Sequence, residues 1–266
     1  MNEFLNQLAF GWFPYVAVIV MVVGSIMRFD KDQYGWRSQS SQFLRRRQLT
    51  LGSNLFHLGV IVLFIGHLVG LTTPIGVFHA VGITNDNKQM MALLVGGVAG
   101  VSALAGCTIL LHRRLSDPRI RRSSSKMDIA ILSLIWLQLV MGVGTIYWSI
   151  QHLDGSEMVQ LMGWAHAILT LNPQAAGTLA EVNLVYKLHI ILGLLLFLLT
   201  PFTRLVHIWS VPIWFLFRPG YQIARSRIPL GRKPRGKPIQ GDFGPTSRPL
   251  GGDAVARAKA ESGQAT

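Results

Sequence analysis

Four of the eight histidines in this 266-residue chain stand inside long apolar runs. His57 and His67 share the run near 51–72, and His189 and His207 share the run near 184–209. An imidazole at membrane depth is costly and rare, so it marks a functional position unless it simply bonds a neighbouring helix. Two such pairs on two helices are harder to assign to helix–helix bonding than one histidine would be. Imidazole ligates transition metals and, from both sides of one iron, haem. At 1.5 Å rise per residue, His57 and His67 lie about 15 Å apart along their helix, and His189 and His207 about 27 Å. The latter spacing is about five turns, which puts both histidines on one face. Zinc is the competing use. Pairs more than about 10 Å apart cannot share one tetrahedral ion, and neither level offers a Cys or a carboxylate. Cys107 is the only cysteine, which excludes an internal disulfide, a Cys-ligated iron–sulfur cluster and a C-x-x-C-H haem attachment.

The elements that must carry these residues are transmembrane helices. Apolar residues make up 50% of the chain and charged residues 14%, with a mean hydropathy of +0.39; a soluble domain carries about 25% charged residues. Five stretches, near 10–28, 51–72, 90–111, 128–149 and 184–209, approach or exceed the roughly 20 residues needed to cross a bilayer. The expected fold class is all-α, an integral membrane five-helix bundle. The opening residues MNEFLNQLAFGWFPY carry no basic n-region or small-residue cleavage site, so the first span reads as a retained helix.

Charge sets the expected topology. Arg28, Lys31, Arg37, Arg45, Arg46 and Arg47 fall between the first two spans. Arg113, Arg114, Arg119, Arg121, Arg122 and Lys126 fall between the third and fourth, and most of the remainder follow Trp209. The positive-inside rule places these segments in the cytoplasm, with the N-terminus outside and the C-terminus cytoplasmic. The net charge of +13 is then mostly topology, and nucleic acid is not an expected partner. On the outer side, SEMVQLMGWAHAILTL reads as an interfacial helix. Residues 218–266 form a basic, Pro/Gly-rich tail, expected to be largely disordered.

This topology makes the second and fifth spans antiparallel. His57 and His207 then lie near the cytoplasm, and His67 and His189 near the outer side. Each cross-helix pair has the makings of bis-histidine haem ligation, although the unequal spacings require tilted haems or a bent helix, for which Pro201 offers a place. Gly52, Gly59 and Gly66 recur every seven residues on the face away from His57 and read as a close-packing stripe. Gly96, Gly97, Gly100 and Gly106 read the same way. Lys88 stands outside, at a helix N-terminus where the dipole disfavours a cation. It is either a lysine snorkelling to headgroups or a group that meets an outer ligand. A small transporter would fit a polytopic chain, but the internal repeat or paired broken helices of one are not apparent.

SNLFHLG at 53–59, GHLVG at 66–70, QHLDGSEM at 151–158, KLHIILG at 187–193 and RLVHIWSVP at 204–212 occur in this order. Together with QYGWR at 33–37 and NKQMMALLVGG at 87–97, they make residues 1–217 resemble the gamma subunit of membrane-bound respiratory nitrate reductase, a dihaem cytochrome b. The resemblance implies two haem b. His67 and His189 would be the axial iron ligands of the distal, outer haem, and His57 and His207 those of the proximal, inner haem. It implies that Lys88 binds quinol beside the distal haem. Further implied are an iron–sulfur beta subunit, a molybdenum alpha subunit, the membrane quinol pool and a bacterial inner (cytoplasmic) membrane. Arg204, three residues before His207, would meet a proximal haem propionate or serve as an interfacial positive residue. A related cytochrome b of a formate dehydrogenase or hydrogenase is the alternative.

Overall fold

The computed structural model describes residues 3–32 and 44–210. The expectations for QYGWR and for the 218–266 tail lie outside them. All secondary structure among the described residues is helical. Five helices are long and apolar enough to cross a membrane: α1 (Glu3–Lys31), α2 (Arg46–Thr72), α3 (Asn85–Ser116), α4 (Lys126–Ser149), and α5, which runs as α-helix over Leu184–Leu199 and continues to Phe202 in a 3₁₀ turn. They pack in series: α2 on α3, α3 on α4, α4 on α5, and α5 on α1.

Local chemistry sets the helix ends. Thr84 caps α3 by accepting the Asn87 amide. Ser125 and Asp128 form a reciprocal capping box at the start of α4, and Asn183 caps α5; each satisfies amides that have no partner within the first turn. In α1, Pro14 has no N–H to offer the carbonyl of Phe10. The helix widens into a π turn over Leu8–Trp12, and Trp164 Nε1 donates to the Phe10 carbonyl at 2.9 Å instead.

The seven-residue glycine stripe is only partly what its spacing predicts. A Cβ on Gly59 would meet the Ala99 carbonyl at 2.5 Å, and one on Gly52 would meet the Gly106 carbonyl at 3.2 Å. Gly106 in turn lies against the Phe56 and Gly52 backbones. Here α2 and α3 are in close backbone contact, and Ser102 Oγ donates across to the Leu55 carbonyl at 3.2 Å. A Cβ on Gly66 or Gly96 would meet nothing within 4 Å among the described residues. The reason is geometric: crossing helices touch over a limited length, so the seam has opened by that level. Gly97 and Gly100 face Ile146 and Val143 of α4 instead.

The expected fifth span, 184–209, is not one continuous α-helix. After Leu199 the chain makes a 3₁₀ turn over Thr200–Phe202, becomes extended at Thr203, and re-forms as 3₁₀ helix over Arg204–Ser210. Pro201 sits at the break. Arg28 of α1 donates to the carbonyls of Pro201 at 2.7 Å and Thr203 at 2.9 Å, so polar groups freed by the irregular backbone are satisfied. Gly24 makes the approach possible, since a Cβ there would meet Pro201 Cγ at 2.9 Å. Trp209 Nε1 adds a bond to Ser25 Oγ at 3.1 Å.

The segment expected at the interface forms a helix, Ser156–Leu169. It contacts α2, α3 and the Ala175–Leu179 turn, burying Met162 and Trp164. Tyr15 of α1 donates to its Ile168 carbonyl at 2.9 Å.

Candidate functional site

The four span histidines meet in the pairs that antiparallel packing predicts. His57 of α2 faces His207 of the Arg204–Ser210 segment with ring centroids 6.5 Å apart, and His67 of α2 faces His189 of α5 at 6.3 Å. The break in α5 therefore carries His207 off the helix that bears His189. The single-face argument from about five helical turns does not apply, and the bend expected at Pro201 is present.

Hydrogen bonds orient three of the four rings. His57 Nδ1 lies 2.8 Å from the Ser53 carbonyl, His67 Nδ1 2.7 Å from the Leu63 carbonyl, and His207 Nδ1 2.6 Å from the Arg204 carbonyl. A carbonyl accepts only, so Nδ1 carries the hydrogen and Nε2 keeps a lone pair for a metal. His189 differs. Its Nε2 lies 3.4 Å from the Gln138 amide nitrogen, and its buried Nδ1 has no hydrogen-bond partner among the described residues. Gly142, one turn beyond Gln138 on α4, makes room for the ring, because a Cβ there would stand 2.9 Å from His189 Cε1. Gln138 and Gly142 were not singled out by sequence; the only signal was a lone amide in an apolar run.

These residues fit haem b. With a metal–nitrogen bond of about 2.0–2.1 Å and about 1.1 Å from nitrogen to ring centroid, two imidazoles on one iron stand about 6.3 Å apart. Both observed separations agree with that figure. Among the described residues, no group of three or more His, Cys, Asp or Glu gathers as a metal-ion cluster.

Lys88 is turned inward, at 8% exposure. Its Nζ donates to the Gly70 carbonyl at 3.1 Å, meets Met158 Sδ at 3.5 Å and Met162 Sδ at 2.9 Å, and lies 4.7 Å from the centre of the Phe78 ring. The headgroup-snorkelling alternative is thereby disfavoured. Thioethers are weak acceptors, so this ammonium has one strong partner and capacity for another. Met158 and Met162 were missed by sequence reasoning, although their i, i+4 spacing puts them on one helical face. Arg204 shares Asp128 with Arg114, at 3.7 and 3.8 Å respectively. Two guanidiniums on one carboxylate leave this cluster with surplus positive charge.

Fold and site together define a polytopic helical membrane protein whose span imidazoles are set in facing pairs. Residues 6–227 match the family model for the nitrate reductase gamma subunit, and the chain belongs to that family. It is 46% identical over 225 residues to the respiratory nitrate reductase 1 gamma chain of Escherichia coli K12, covering 85% of this chain and 99% of that protein. Identity is 44% over 227 residues to the respiratory nitrate reductase 2 gamma chain of the same organism (85% and 100% covered). It is 36% over 222 residues to the nitrate reductase gamma chain of Bacillus subtilis 168 (84% and 99% covered).

Proposed function

We propose that this chain is the cytochrome b subunit of a respiratory nitrate reductase in a bacterial inner membrane. In this reading it oxidises quinol at its outer face and delivers the electrons, through two haem b levels, to an iron–sulfur beta subunit and onward to a molybdenum alpha subunit. The observation that carries the reading is the pair of imidazole–imidazole separations, 6.5 and 6.3 Å, within a nitrate reductase gamma family chain.

His57 with His207 would hold the proximal haem, and His67 with His189 the distal one. Bound haem supplies a one-electron store at each level. The Nδ1 bonds to backbone carbonyls at His57, His67 and His207 hold the rings in register and raise their basicity. Lys88 donates to a quinol oxygen, fixing the ring at the outer end. Arg204, with Arg114 beside it, leaves positive charge that a haem propionate can share. With the N-terminus outside, quinol protons leave on the outer side while electrons move inward; each inward charge conserves about 2.3 kcal/mol per 100 mV.

The test is optical. The purified assembled enzyme should contain two low-spin b haems in this subunit for each copy of the chain. Lys88→Ala should keep both yet slow their reduction by quinol analogues. Losing a charge-assisted bond of about 1.5–3 kcal/mol weakens quinol binding roughly ten- to hundredfold. Reduction by a small artificial donor should be unchanged. One haem per chain, a high-spin spectrum, or parental quinol rates in Lys88→Ala would count against the reading.

A further inference from the structure

Quinol oxidation releases two protons for every two electrons, and Lys88, a cation, is not a group to receive them. The same end of the bundle holds a carboxylate with an unused oxygen. Glu157 lies in the first turn of the Ser156–Leu169 helix, with its side chain 18% exposed and its Oε2 buried without a hydrogen-bond partner among the described residues. The helix dipole favours an acid at that position, but it does not account for an acid turned inward with a bare oxygen. The residue after it, Met158, touches the Lys88 ammonium at 3.5 Å. His152 Nδ1 stands 4.0 Å from Glu157 Oε2 and 3.3 Å from the Trp148 carbonyl, and that imidazole is 47% exposed.

Polar groups also join Glu157 to the interior. The Tyr186 hydroxyl of α5 interacts with its carboxylate and pairs with Ser149 Oγ at 2.7 Å. The Ser149 carbonyl accepts from Gln89 Nε2 at 3.3 Å, and Gln89 is the buried neighbour of Lys88. The titratable and charged groups gathered here are Lys88 from α3, Tyr186 from α5, and His152 and Asp154 from the turn before the helix. Asp154 is held by Ser156 Oγ at 3.1 Å.

We propose that Glu157 is the base that receives quinol's protons and that His152 hands them to the outer solution. This rests on the quinol-oxidising reading above. Quinol becomes quinone by losing two protons and two electrons. Each O–H bond breaks toward the Glu157 carboxylate, which becomes a carboxylic acid. The His152 imidazole, in the tautomer with its hydrogen on Nε2, takes that proton at Nδ1, which regenerates the carboxylate; it then releases the Nε2 proton to water and returns to its first tautomer by exchange with solvent. The electrons leave toward the imidazole pairs. A carboxylate with one oxygen free of hydrogen bonds, next to the residue that touches the substrate-orienting ammonium and near an exposed imidazole, is arranged for this transfer.

The experiment uses the assembled enzyme in membrane vesicles. Glu157→Gln should keep the parental haem content and the parental rate with an artificial donor, yet slow haem reduction by a quinol analogue about a hundredfold. Added imidazole should restore part of that rate, and Glu157→Asp should fall between Glu157→Gln and the parent. In His152→Ala the quinol rate should become dependent on external buffer concentration. A parental quinol rate in Glu157→Gln overturns the proposal, as does a slow rate that neither imidazole nor Glu157→Asp improves. If Lys88→Ala slows quinol-driven reduction while Glu157→Gln does not, only the relay falls. If the parent is not reduced by quinol at all, the underlying reading falls first.

Discussion

Each imidazole of the two pairs answers to a different constraint, and each makes its own prediction. His57 and His67 hang on α2 and are oriented by carbonyls one turn back. Replacing His67 or His189 by Ala should abolish one spectral component, and replacing His57 or His207 the other; His67→Ala and His207→Ala losing the same component would refute the pairing. Gly142 gives a gentler test. A methyl group there would stand 2.9 Å from His189 Cε1, and overpacking of this kind costs about 1–3 kcal/mol. Gly142→Ala should shift or deplete the outer component and leave the inner spectrum parental, as read by low-temperature difference spectra. At this scale the histidines were legible because an ionisable ring in an apolar run is rare, and the Lys88 position because its charge opposes the dipole. The partners of both were not. Gln138, Gly142, Met158 and Met162 come to the site from other helices, and no spacing along their own segments reveals which neighbour they meet.

At the scale of elements, the five spans follow from apolar length alone, while the caps that Thr84, Ser125 and Asn183 supply at the starts of three helices emerge only in the structure. The glycine stripe shows where that kind of reading stops. Gly59 and Gly66 are equivalent in periodicity, yet only Gly59 lies against α3, because the crossing of two helices is a tertiary fact. Pro201 likewise advertises a break in α5 but not what stabilises it; Arg28, which caps it, lies more than 170 residues earlier. Arg28→Leu would leave two carbonyls without their cation, at about 1–3 kcal/mol for each unsatisfied group. The expected outcome is selective loss of the inner spectral component, with the outer one retained because His189 precedes the break. Equal loss of both components, measured by the same difference spectra, would show that the break does not position His207.

For the whole molecule, the distribution of basic residues is the strongest global feature of the sequence, and it makes a prediction independent of any cofactor. A tag at the N-terminus should be accessible from the outer face of intact cells' inner membranes. Single cysteines placed in the Ser116–Ser125 connection should be labelled only from the cytoplasm by a membrane-impermeant reagent, best in a chain with Cys107 replaced. The opposite labelling pattern would invert the positions assigned to both histidine pairs. The family match covers residues 6–227, and residues 228–266 lie beyond it.

The clamp of α1 on the broken end of α5 bears on how the protein is made. Synthesis delivers α1 first and the Arg204–Ser210 segment last among the described elements, so Gly24, Ser25 and Arg28 wait through the insertion of every other span before their partners arrive. His207 comes only with that segment, whereas His67 and His189 need only α2 and α5. On the two-haem reading, the inner level would fill only once the bundle is complete, and a chain truncated before the Arg204–Ser210 segment would carry only the outer haem.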